Sequence, residues 1–415
     1  MGKFCHLVFV SEDNHNKYYT MTEDNDGKFT VKYGRVDSSV STVRYPMSKW
    51  QSKYNSKVKK GYKDMTEMVA FKTDESGNVE VPNKTEVISN DRVVSEFFEF
   101  LKKCAQNTIS ANYKVSSNKV TQKMVDTAQA IIDELTEGWK DEKPIKQLNE
   151  LLIQLYTVIP RKMKNVADYL LKDRASKEEI GKLIDKEQKL LDTMAGQVIS
   201  TTMSNANSVE AFKEEETIDN RTILEKLGLE IELEKDESVI KKIKDLMGES
   251  SNLLYKVYKV KNKTTEERYL EYFDSNKNTS HEELLWHGSR NQNWYNIILT
   301  GLMIKPSGVI TNGSMFGNGI YFANKARKSI GYSSLSGSYW TRGNEDKAFL
   351  ALFAVNVGNE KKILEHNSDC YNFNDSNIAP YNSVHAYAGR SLLNDEIIIY
   401  NTSRCTIRYV IELSK

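Results

Sequence analysis

Cysteine, proline and long apolar runs are scarce in this 415-residue sequence. The four cysteines, Cys5, Cys104, Cys370 and Cys405, stand far apart, and no C-x-x-C pair indicates a structural zinc site or a dithiol redox centre. We therefore expect reduced thiols in an intracellular protein. Only 6 prolines, together with 39% apolar and 28% charged residues, exclude disorder as the main state.

A strong net charge is also absent. The formal net charge is +1, so no field of the whole chain attracts nucleic acid or anionic lipid, and such contacts need a local patch. No apolar run approaches the roughly 20 residues of a membrane span, and the opening MGKFCHLVFV is too short for a signal sequence. We expect a cytoplasmic protein without membrane contact, or a nuclear one if the source is eukaryotic.

Residues 1–71 combine strand patterns with a helix pattern. Short aromatic and β-branched runs, separated by turn residues, lie at 6–10, 18–21 and 29–33. Trp50, Tyr54 and Val58 then recur every four residues, as on one face of a helix that ends at Gly61. The pattern predicts a small domain made of a sheet and one helix.

Residues 72–90 have no period and include Gly77 and Pro82, which indicates a linker. From 91 to 250 the apolar residues repeat at intervals of three and four, for example at Val93, Phe97 and Leu101. We expect an all-α bundle there, with mixed charges on its outer faces.

Residues 251–415 change character again. Strand-like runs occur as LLYKVYKV, ELLWH, GIYFA, FLALFAVNV, EIIIY and TIRYVIEL, with short helices predicted at NQNWYNIIL and NKARKSIGY. This is the pattern of a mixed α+β domain, so the whole chain reads as a multidomain α+β protein. Its loops PSGVITNGSMFGNG and SSLSGSYWTRGNED are rich in glycine and serine, which favours ligand contacts there.

Three stretches of this last domain hold polar residues that the strand pattern does not explain: LLWHGSR, GSMFGNGIYFANKARKSIGYS and LLNDEIIIY. The glycines at 313, 317 and 319 match neither a P-loop nor a dinucleotide fingerprint. His287 taken alone is better explained as a core histidine than as a functional residue. Glu396 is more informative, because burying an unpaired carboxylate at the start of a strand costs folding free energy, which indicates a functional reason for it.

Taken together, the three stretches resemble the catalytic domain of the diphtheria-toxin-like poly(ADP-ribose) polymerases, whose triad is His, Tyr and Glu. The matching residues here are His287 of WHGSR, Tyr321 of GNGIYFA and Glu396 of LLNDEIIIY. Upstream, LIQLYTVIP resembles a segment of the helical regulatory domain of DNA-dependent members. Residues 1–71 are similar to a WGR domain, with YGRV in place of WGRV and KKGYKD in place of its later segment.

The resemblance implies NAD+ as substrate and no metal. Bond cleavage at the nicotinamide ribose develops positive charge on the sugar, which a fixed negative charge stabilises. Glu396 would bond the 2′-hydroxyl of that ribose and the acceptor hydroxyl, and His287 would bond the adenosine ribose. Tyr321 and Tyr332 would enclose the nicotinamide ring.

Further contacts follow from the same motif positions. The Gly288 backbone and Ser329 would bond the carboxamide of nicotinamide, Ser289 and Asn293 would contact the adenosine part, and Lys328 stands where the family carries lysine. The sequence departs from the family at Met303, at Asn318 and in the short segment YNSVHAYAGR before LLNDE. These departures fall on the adenosine and acceptor sides, so they leave polymer length and target residue open.

One local patch is basic. Between Asp37 and Asp64 there is no acidic residue, and seven positive residues lie there: Arg44, Lys49, Lys53, Lys57, Lys59, Lys60 and Lys63. Lys49, Lys53, Lys57 and Lys60 share a helical face, which is typical either of a solvated helix or of phosphate contact. The WGR resemblance favours DNA ends or nicks, with contacts from Arg44 and these lysines, stacking by Tyr33, and Arg35 bridging toward the bundle.

The sequence leaves three functions open. The first is a DNA-break-activated poly(ADP-ribose) polymerase that modifies proteins, including itself, and whose helical bundle blocks NAD+ entry until DNA binds. The second is a mono-ADP-ribosyltransferase of the same fold, whose members usually lack the glutamate found at Glu396. The third is a DNA-end-binding scaffold with a weak or inactive catalytic domain.

Overall fold

The structure is a computed structural model that describes residues 2–36, 38–68, 87–113, 120–210, 221–304 and 315–415. The chain folds into two compact units. Unit 1 comprises Met1–Asn83 and Asn107–Ile199, and unit 2 comprises Lys84–Gln106 and Ser200–Lys415. Most of the predicted linker and residues 306–314 of the predicted glycine-rich loop lie outside the described residues.

Unit 1 begins with an antiparallel sheet. Its strands are β1 (Phe4–Ser11), β2 (His15–Glu23), β3 (Lys28–Arg35), β4 (Ser41–Pro46) and β5 (Lys63–Asp64). Helix α1 (Trp50–Val58) lies between β4 and β5 in the chain. The strand order is β4-β3-β2-β1-β5. One face buries Leu7, Met21 and Phe29 against Trp50 of α1. The prediction that Val58 shares this buried face is wrong, because Val58 is 42% exposed.

Four long helices follow. They are α2 (Arg92–Asn112), α3 (Gln122–Lys140), α4 (Ile145–Val158) and α5 (Lys177–Glu210). In α3 the side chains of Met124, Ala128, Ile132 and Leu135 are buried at intervals of three and four, as their spacing predicts. The division between the two units falls within α2 and within α5.

Unit 2 holds two sheets and is mixed α+β. Its strands are β6 (Leu229–Leu233), β7 (Leu254–Asn262), β8 (Glu282–Gly288), β9 (Ile320–Phe322), β10 (Lys347–Asn356), β11 (Glu360–Ile363), β12 (Ser383–Ala386), β13 (Glu396–Ile399) and β14 (Cys405–Ser414). One sheet has the order β6-β7-β14-β10-β8 and the other β11-β12-β13-β9. The six strand-like runs noted in the sequence thus correspond to β7, β8, β9, β10, β13 and β14.

Shorter helices connect these strands. They are α6 (Ile223–Lys226), α7 (Glu237–Met247), α8 (Lys263–Ser275), α9 (Asn291–Thr300) and α10 (Ala326–Ile330). The predicted helices NQNWYNIIL and NKARKSIGY correspond to α9 and α10. Strand β10 is buried along almost its whole length, which places the core of unit 2 on both of its faces.

The prediction that residues 91–250 form an all-α bundle is wrong, because the region contains a strand. Residues 229–233 form β6, which pairs with β7 in the main sheet of unit 2. The alternation of Leu229 and Ile231 with exposed glutamates is a period-two pattern inside a mostly helical region.

The first half of α2 also belongs to the core of unit 2. Phe97 stacks on Tyr258 of β7 with ring centroids 4.0 Å apart, and Phe98 contacts Tyr295 of α9. Both phenylalanines are 1% exposed. A fragment that begins at residue 251 would therefore lose an edge strand and buried aromatic side chains, so the experiments below use the full chain.

Within the described part of the chain, no helix is both long enough and apolar enough to cross a membrane.

Candidate active site

Three strands of unit 2 bring the predicted triad into one region. His287 lies near the end of β8, Tyr321 lies in the middle of β9, and Glu396 is the first residue of β13. Strands β9 and β13 pair in antiparallel fashion, and a bridge between Trp286 and Ala323 joins β8 to the end of β9. The two sheets of unit 2 therefore meet at the triad.

The environment of His287 fixes its hydrogen-bonding role. Its Nδ1 lies 3.0 Å from the backbone carbonyl oxygen of Tyr321. Because a carbonyl only accepts hydrogen bonds, Nδ1 donates its proton. Burial among the rings of Trp294, Phe322 and Phe353 lowers the pKa of His287, so the ring is neutral at pH 7 and Nε2 is an acceptor. Such a nitrogen can accept a hydrogen bond from a ligand hydroxyl.

The glycine after His287 allows two backbones to approach closely. A Cβ atom on Gly288 would lie 1.9 Å from the carbonyl oxygen of Ser329, which is the fourth residue of α10. No side chain fits at this position. The predicted carboxamide partners Gly288 and Ser329 are thus adjacent, and the predicted adenosine contacts Ser289 and Asn293 share a 2.9 Å hydrogen bond.

Glu396 is a buried carboxylate with one engaged oxygen and one free oxygen. Its Oε1 lies 2.5 Å from the ammonium of Lys328, while its buried Oε2 has no hydrogen-bond partner among the described residues. Burial raises the pKa of Glu396, and the charge of Lys328 opposes that rise. The unpaired Oε2 can accept a hydrogen bond from a ligand.

Two tyrosines lie close to this carboxylate. The Tyr321 hydroxyl donates to the Gly317 carbonyl at 2.7 Å and accepts from the Phe316 N–H at 3.0 Å, so its hydroxyl is held by the backbone. Burial, together with the nearby charge of Glu396, raises the pKa of Tyr332 to about 12. Both phenols are therefore neutral, and their rings are available as aromatic surfaces.

The glycines before Tyr321 serve packing rather than phosphate binding. Gly317 has a φ of +80°, and a Cβ on it would lie 2.1 Å from the Phe373 carbonyl oxygen. A Cβ on Gly319 would lie 2.5 Å from Cγ2 of Ile398 in β13. Side chains at either position would push this loop away from the triad. Gly313 lies outside the described residues.

Comparison with known proteins assigns unit 2 to a family. The model of the poly(ADP-ribose) polymerase catalytic domain matches residues 234–415. A poly [ADP-ribose] polymerase-like protein, 100L of Invertebrate iridescent virus 6, is 34% identical over 170 residues, which cover 40% of this chain and 88% of the viral protein. The chain belongs to the poly(ADP-ribose) polymerase family.

Other relatives extend the match. Uncharacterized protein 101L of the same virus is 34% identical over 205 residues, covering 49% of this chain and 82% of that protein. Poly [ADP-ribose] polymerase 2 of Arabidopsis thaliana is 23% identical over 474 aligned positions, covering 97% of this chain and 71% of the plant protein. The family match supports ADP-ribosyltransferase activity with NAD+ as substrate.

The residues at the triad fit such a substrate. A dinucleotide offers ribose hydroxyls as donors and a planar carboxamide ring, and the site offers the acceptors His287 Nε2 and Glu396 Oε2 beside two neutral tyrosine rings. His287 and Glu396, the predicted histidine and glutamate of the triad, thus each present an acceptor atom. No cluster of three metal-binding side chains occurs among the residues that the structure describes.

The basic patch of unit 1 is partly engaged with its own sheet. The Lys57 ammonium lies 4.2 Å from the ring centroid of Tyr19 and near two further tyrosine rings, one of them Tyr33, and Lys53 lies 4.2 Å from that of Tyr45. Burial and neighbouring lysines lower the pKa of Lys57. Two of the four lysines predicted to share this face therefore already contact aromatic rings of unit 1.

The two arginines are also engaged. Arg44 pairs with Asp24 at 3.0 Å and with Asp26 at 2.9 Å. Arg35 donates to the carbonyl oxygens of Lys164 at 2.7 Å and of Asn14 at 2.6 Å, which joins β3 to the segment after α4. Lys49 and Lys60 remain exposed, and Tyr33 is 36% exposed. Contact of these residues with DNA stays a prediction.

Two features of the site have no counterpart in the sequence-based prediction. The ring of Tyr332 stacks on Trp340, with centroids 6.0 Å apart and planes 20° apart. The sequence identified Lys328 only as a position where the family carries lysine, whereas the structure shows its ion pair with Glu396. The sequence signal was present in each case, as the aromatic pair in SYW and as a lysine beside Ser329. Trp340 follows Tyr332 in the next loop, whereas Glu396 lies far along the chain from Lys328.

Proposed function

We propose that the protein is an NAD+-dependent protein poly-ADP-ribosyltransferase activated by DNA breaks. The observation that carries the proposal is the buried Glu396 carboxylate, whose Oε2 has no partner among the described residues and which lies close to Tyr321 and Tyr332. A buried acceptor of this kind suits a ribose hydroxyl better than water.

In the proposed reaction the C1′–N bond to nicotinamide breaks and a bond forms between C1′ and an acceptor oxygen. The acceptor hydroxyl gives its proton to the Glu396 carboxylate, and nicotinamide leaves as a neutral molecule. Glu396 orients the ribose 2′-hydroxyl and accepts a hydrogen bond from the acceptor hydroxyl. His287 binds the adenosine ribose through Nε2, and the two tyrosine rings hold nicotinamide.

The presence of Glu396 favours polymer formation over a single transfer. Elongation requires that a ribose hydroxyl act as the nucleophile, and a carboxylate is the group that can activate it. Relatives with polymerase in their names support the same choice. Mono-ADP-ribosylation by the same site is the second candidate, because the short segment before β13 departs from the family on the acceptor side.

Activation by DNA ends or nicks is proposed for the N-terminal region. Lys49 and Lys60, which flank α1 and are exposed, offer positive charge, and Tyr33 of β3, which is 36% exposed, offers an aromatic surface. The alignment to the Arabidopsis thaliana polymerase covers 97% of this chain, so the similarity is not confined to the catalytic domain. Proteins, including the chain itself, are the proposed acceptors.

Incubation of the full-length protein with labelled NAD+ tests the proposal. Reactions are run without DNA, with nicked duplex and with blunt duplex, and products are separated by size. A high-mass smear that increases with DNA is expected. A discrete band indicates mono-ADP-ribosylation, no response to DNA contradicts activation, and an unlabelled protein with intact NAD+ contradicts the enzyme itself.

A further inference from the structure

A histidine beside the active site lies between two carboxylates. Nδ1 of His385, on β12, lies 3.0 Å from Oε1 of Glu360, and its Nε2 lies 3.4 Å from Oδ2 of Asp395. The side chains of both carboxylates are about four-fifths buried, with 20% and 21% exposure. The imidazole stacks on Tyr387 with centroids 4.1 Å and planes 6° apart, which fixes the orientation of the ring.

This geometry requires a protonated ring. A carboxylate accepts hydrogen bonds and donates none, so each ring nitrogen can bond its carboxylate only if that nitrogen carries a proton. Neutral imidazole has one N–H group, and imidazolium has two.

The groups that face the ring agree with this assignment. Hydrogen bonding to Glu360 is the main cause of a raised pKa of His385, with burial opposing it and Asp395 adding to it. Lys362 lies opposite His385 in the β11–β12 pair, and Ile397 lies opposite it in β13.

Asp395 is tied to the surrounding structure on several sides. Its carboxylate accepts from the Ala388 N–H at 2.8 Å and from the Asn324 amide at 3.0 Å, in addition to His385. Its backbone carbonyl accepts from the Lys328 ammonium at 3.3 Å, and the same ammonium holds Glu396. The residue that His385 contacts therefore adjoins Glu396 along the chain and shares its lysine.

We propose that protonated His385 is a positioning residue for Glu396. By pairing with Glu360 and Asp395 it fixes the start of β13 and hence the direction of the Glu396 carboxylate. Loss of the proton leaves a nitrogen lone pair facing a carboxylate, and the repulsion loosens Asp395. This inference rests on the proposed NAD+ chemistry and adds a pH dependence that the triad alone does not provide.

The test measures nicotinamide release by the full-length protein across the neutral and alkaline pH range, at saturating and limiting NAD+. In the wild type kcat falls as the pH rises through the pKa of His385, with little change in KM. Glu360→Gln removes one negative charge and shifts this fall to lower pH. His385→Gln lowers kcat by about 10-fold at neutral pH and abolishes the fall, because a small displacement of a catalytic group is costly.

Controls separate this role from a structural one. His281→Gln alters an exposed histidine and should leave the profile unchanged. Each variant must still show a raised thermal midpoint with a benzamide, which establishes a folded pocket. An NMR titration of the ring should show that Glu360→Gln lowers the pKa of His385, because the substitution removes the carboxylate that faces Nδ1.

Two results would overturn the inference. One is an alkaline fall that stays at the same pH in both variants, and the other is a pKa of His385 that Glu360→Gln leaves unchanged. A wild-type protein that releases no nicotinamide contradicts the proposed function instead, and the NMR titration still decides the ionisation of His385.

Discussion

The ammonium of Lys328 and the carboxylate of Glu396 form an ion pair of 2.5 Å in which the two side chains are 11% and 8% exposed. Each charge offsets the desolvation free energy of burying the other, and either charge buried alone would be strongly destabilising. Burial raises the pKa of Glu396 and the charge of Lys328 opposes that rise, so the lysine favours the ionised form of the carboxylate. The ion pair thus links Lys328 to the protonation state of Glu396, the proposed catalytic carboxylate.

Replacing this lysine should move the acid limb of the pH profile. Activity needs the carboxylate form, so activity is lost as the pH falls through the pKa of Glu396. In Lys328→Met that pKa rises further, and nicotinamide release at neutral pH should fall by about 10-fold. Lys325→Met, at an exposed position on the same turn, is the matched control. An acid limb at the wild-type pH in Lys328→Met would refute this role.

A methyl group at Gly288 should damage substrate binding. Its Cβ would meet the Ser329 carbonyl at 1.9 Å, so β8 and α10 must move apart. We expect Gly288→Ala to lose about 2 kcal/mol of unfolding free energy and to bind a benzamide at least 10-fold more weakly. Urea unfolding and calorimetric titration measure these effects. Gly389→Ala is the control and should change neither quantity, because the nearest atom to a Cβ there is the Leu364 carbonyl oxygen at 4.0 Å. Wild-type benzamide binding in Gly288→Ala would contradict the assigned pocket.

Strands β8, β9 and β13 could be predicted because each is a short apolar run followed or preceded by a polar residue. That local signal located the strands, whereas His287, Tyr321 and Glu396 were singled out by their resemblance to the family's motifs. The pairing of Lys328 with Glu396 and of His385 with Asp395 could not be predicted, since such contacts arise only when strands distant in sequence come together.

In the helical region, too, the sequence predicts local structure but not the tertiary contacts. The spacing of Val94, Phe97 and Leu101 predicts a helix with one apolar face, but it carries no information about which core that face enters. The structure packs this half of α2 into the core of unit 2. Strand β6 was missed because five residues of alternating pattern are easily absorbed into a longer helical assignment.

The exposed lysines at the two ends of α1 should govern any response to DNA. Lys49 and Lys60 are exposed, whereas Lys53 and Lys57 lie over tyrosine rings. The double variant Lys49→Ala, Lys60→Ala should weaken stimulation by DNA and reduce the salt dependence of DNA binding by about 2 in the log–log slope.

The basal activity of that variant without DNA should be unchanged. Lys146→Ala with Lys172→Ala removes the same charge from exposed positions elsewhere in unit 1 and serves as the control. Equal loss of stimulation in the two double variants would mean that the N-terminal patch has no specific role.

The most direct test of the central claim is the product distribution of Glu396→Gln. The substitution keeps the size of the side chain and removes its charge and its ability to accept a proton. Glu365→Gln, at an exposed position of unit 2, is the control. With labelled NAD+ and nicked DNA, we expect polymer to fall by at least about 10²-fold while NAD+ binding and a mono-modified band or slow nicotinamide release persist. Long polymer at the wild-type level in Glu396→Gln would contradict the account.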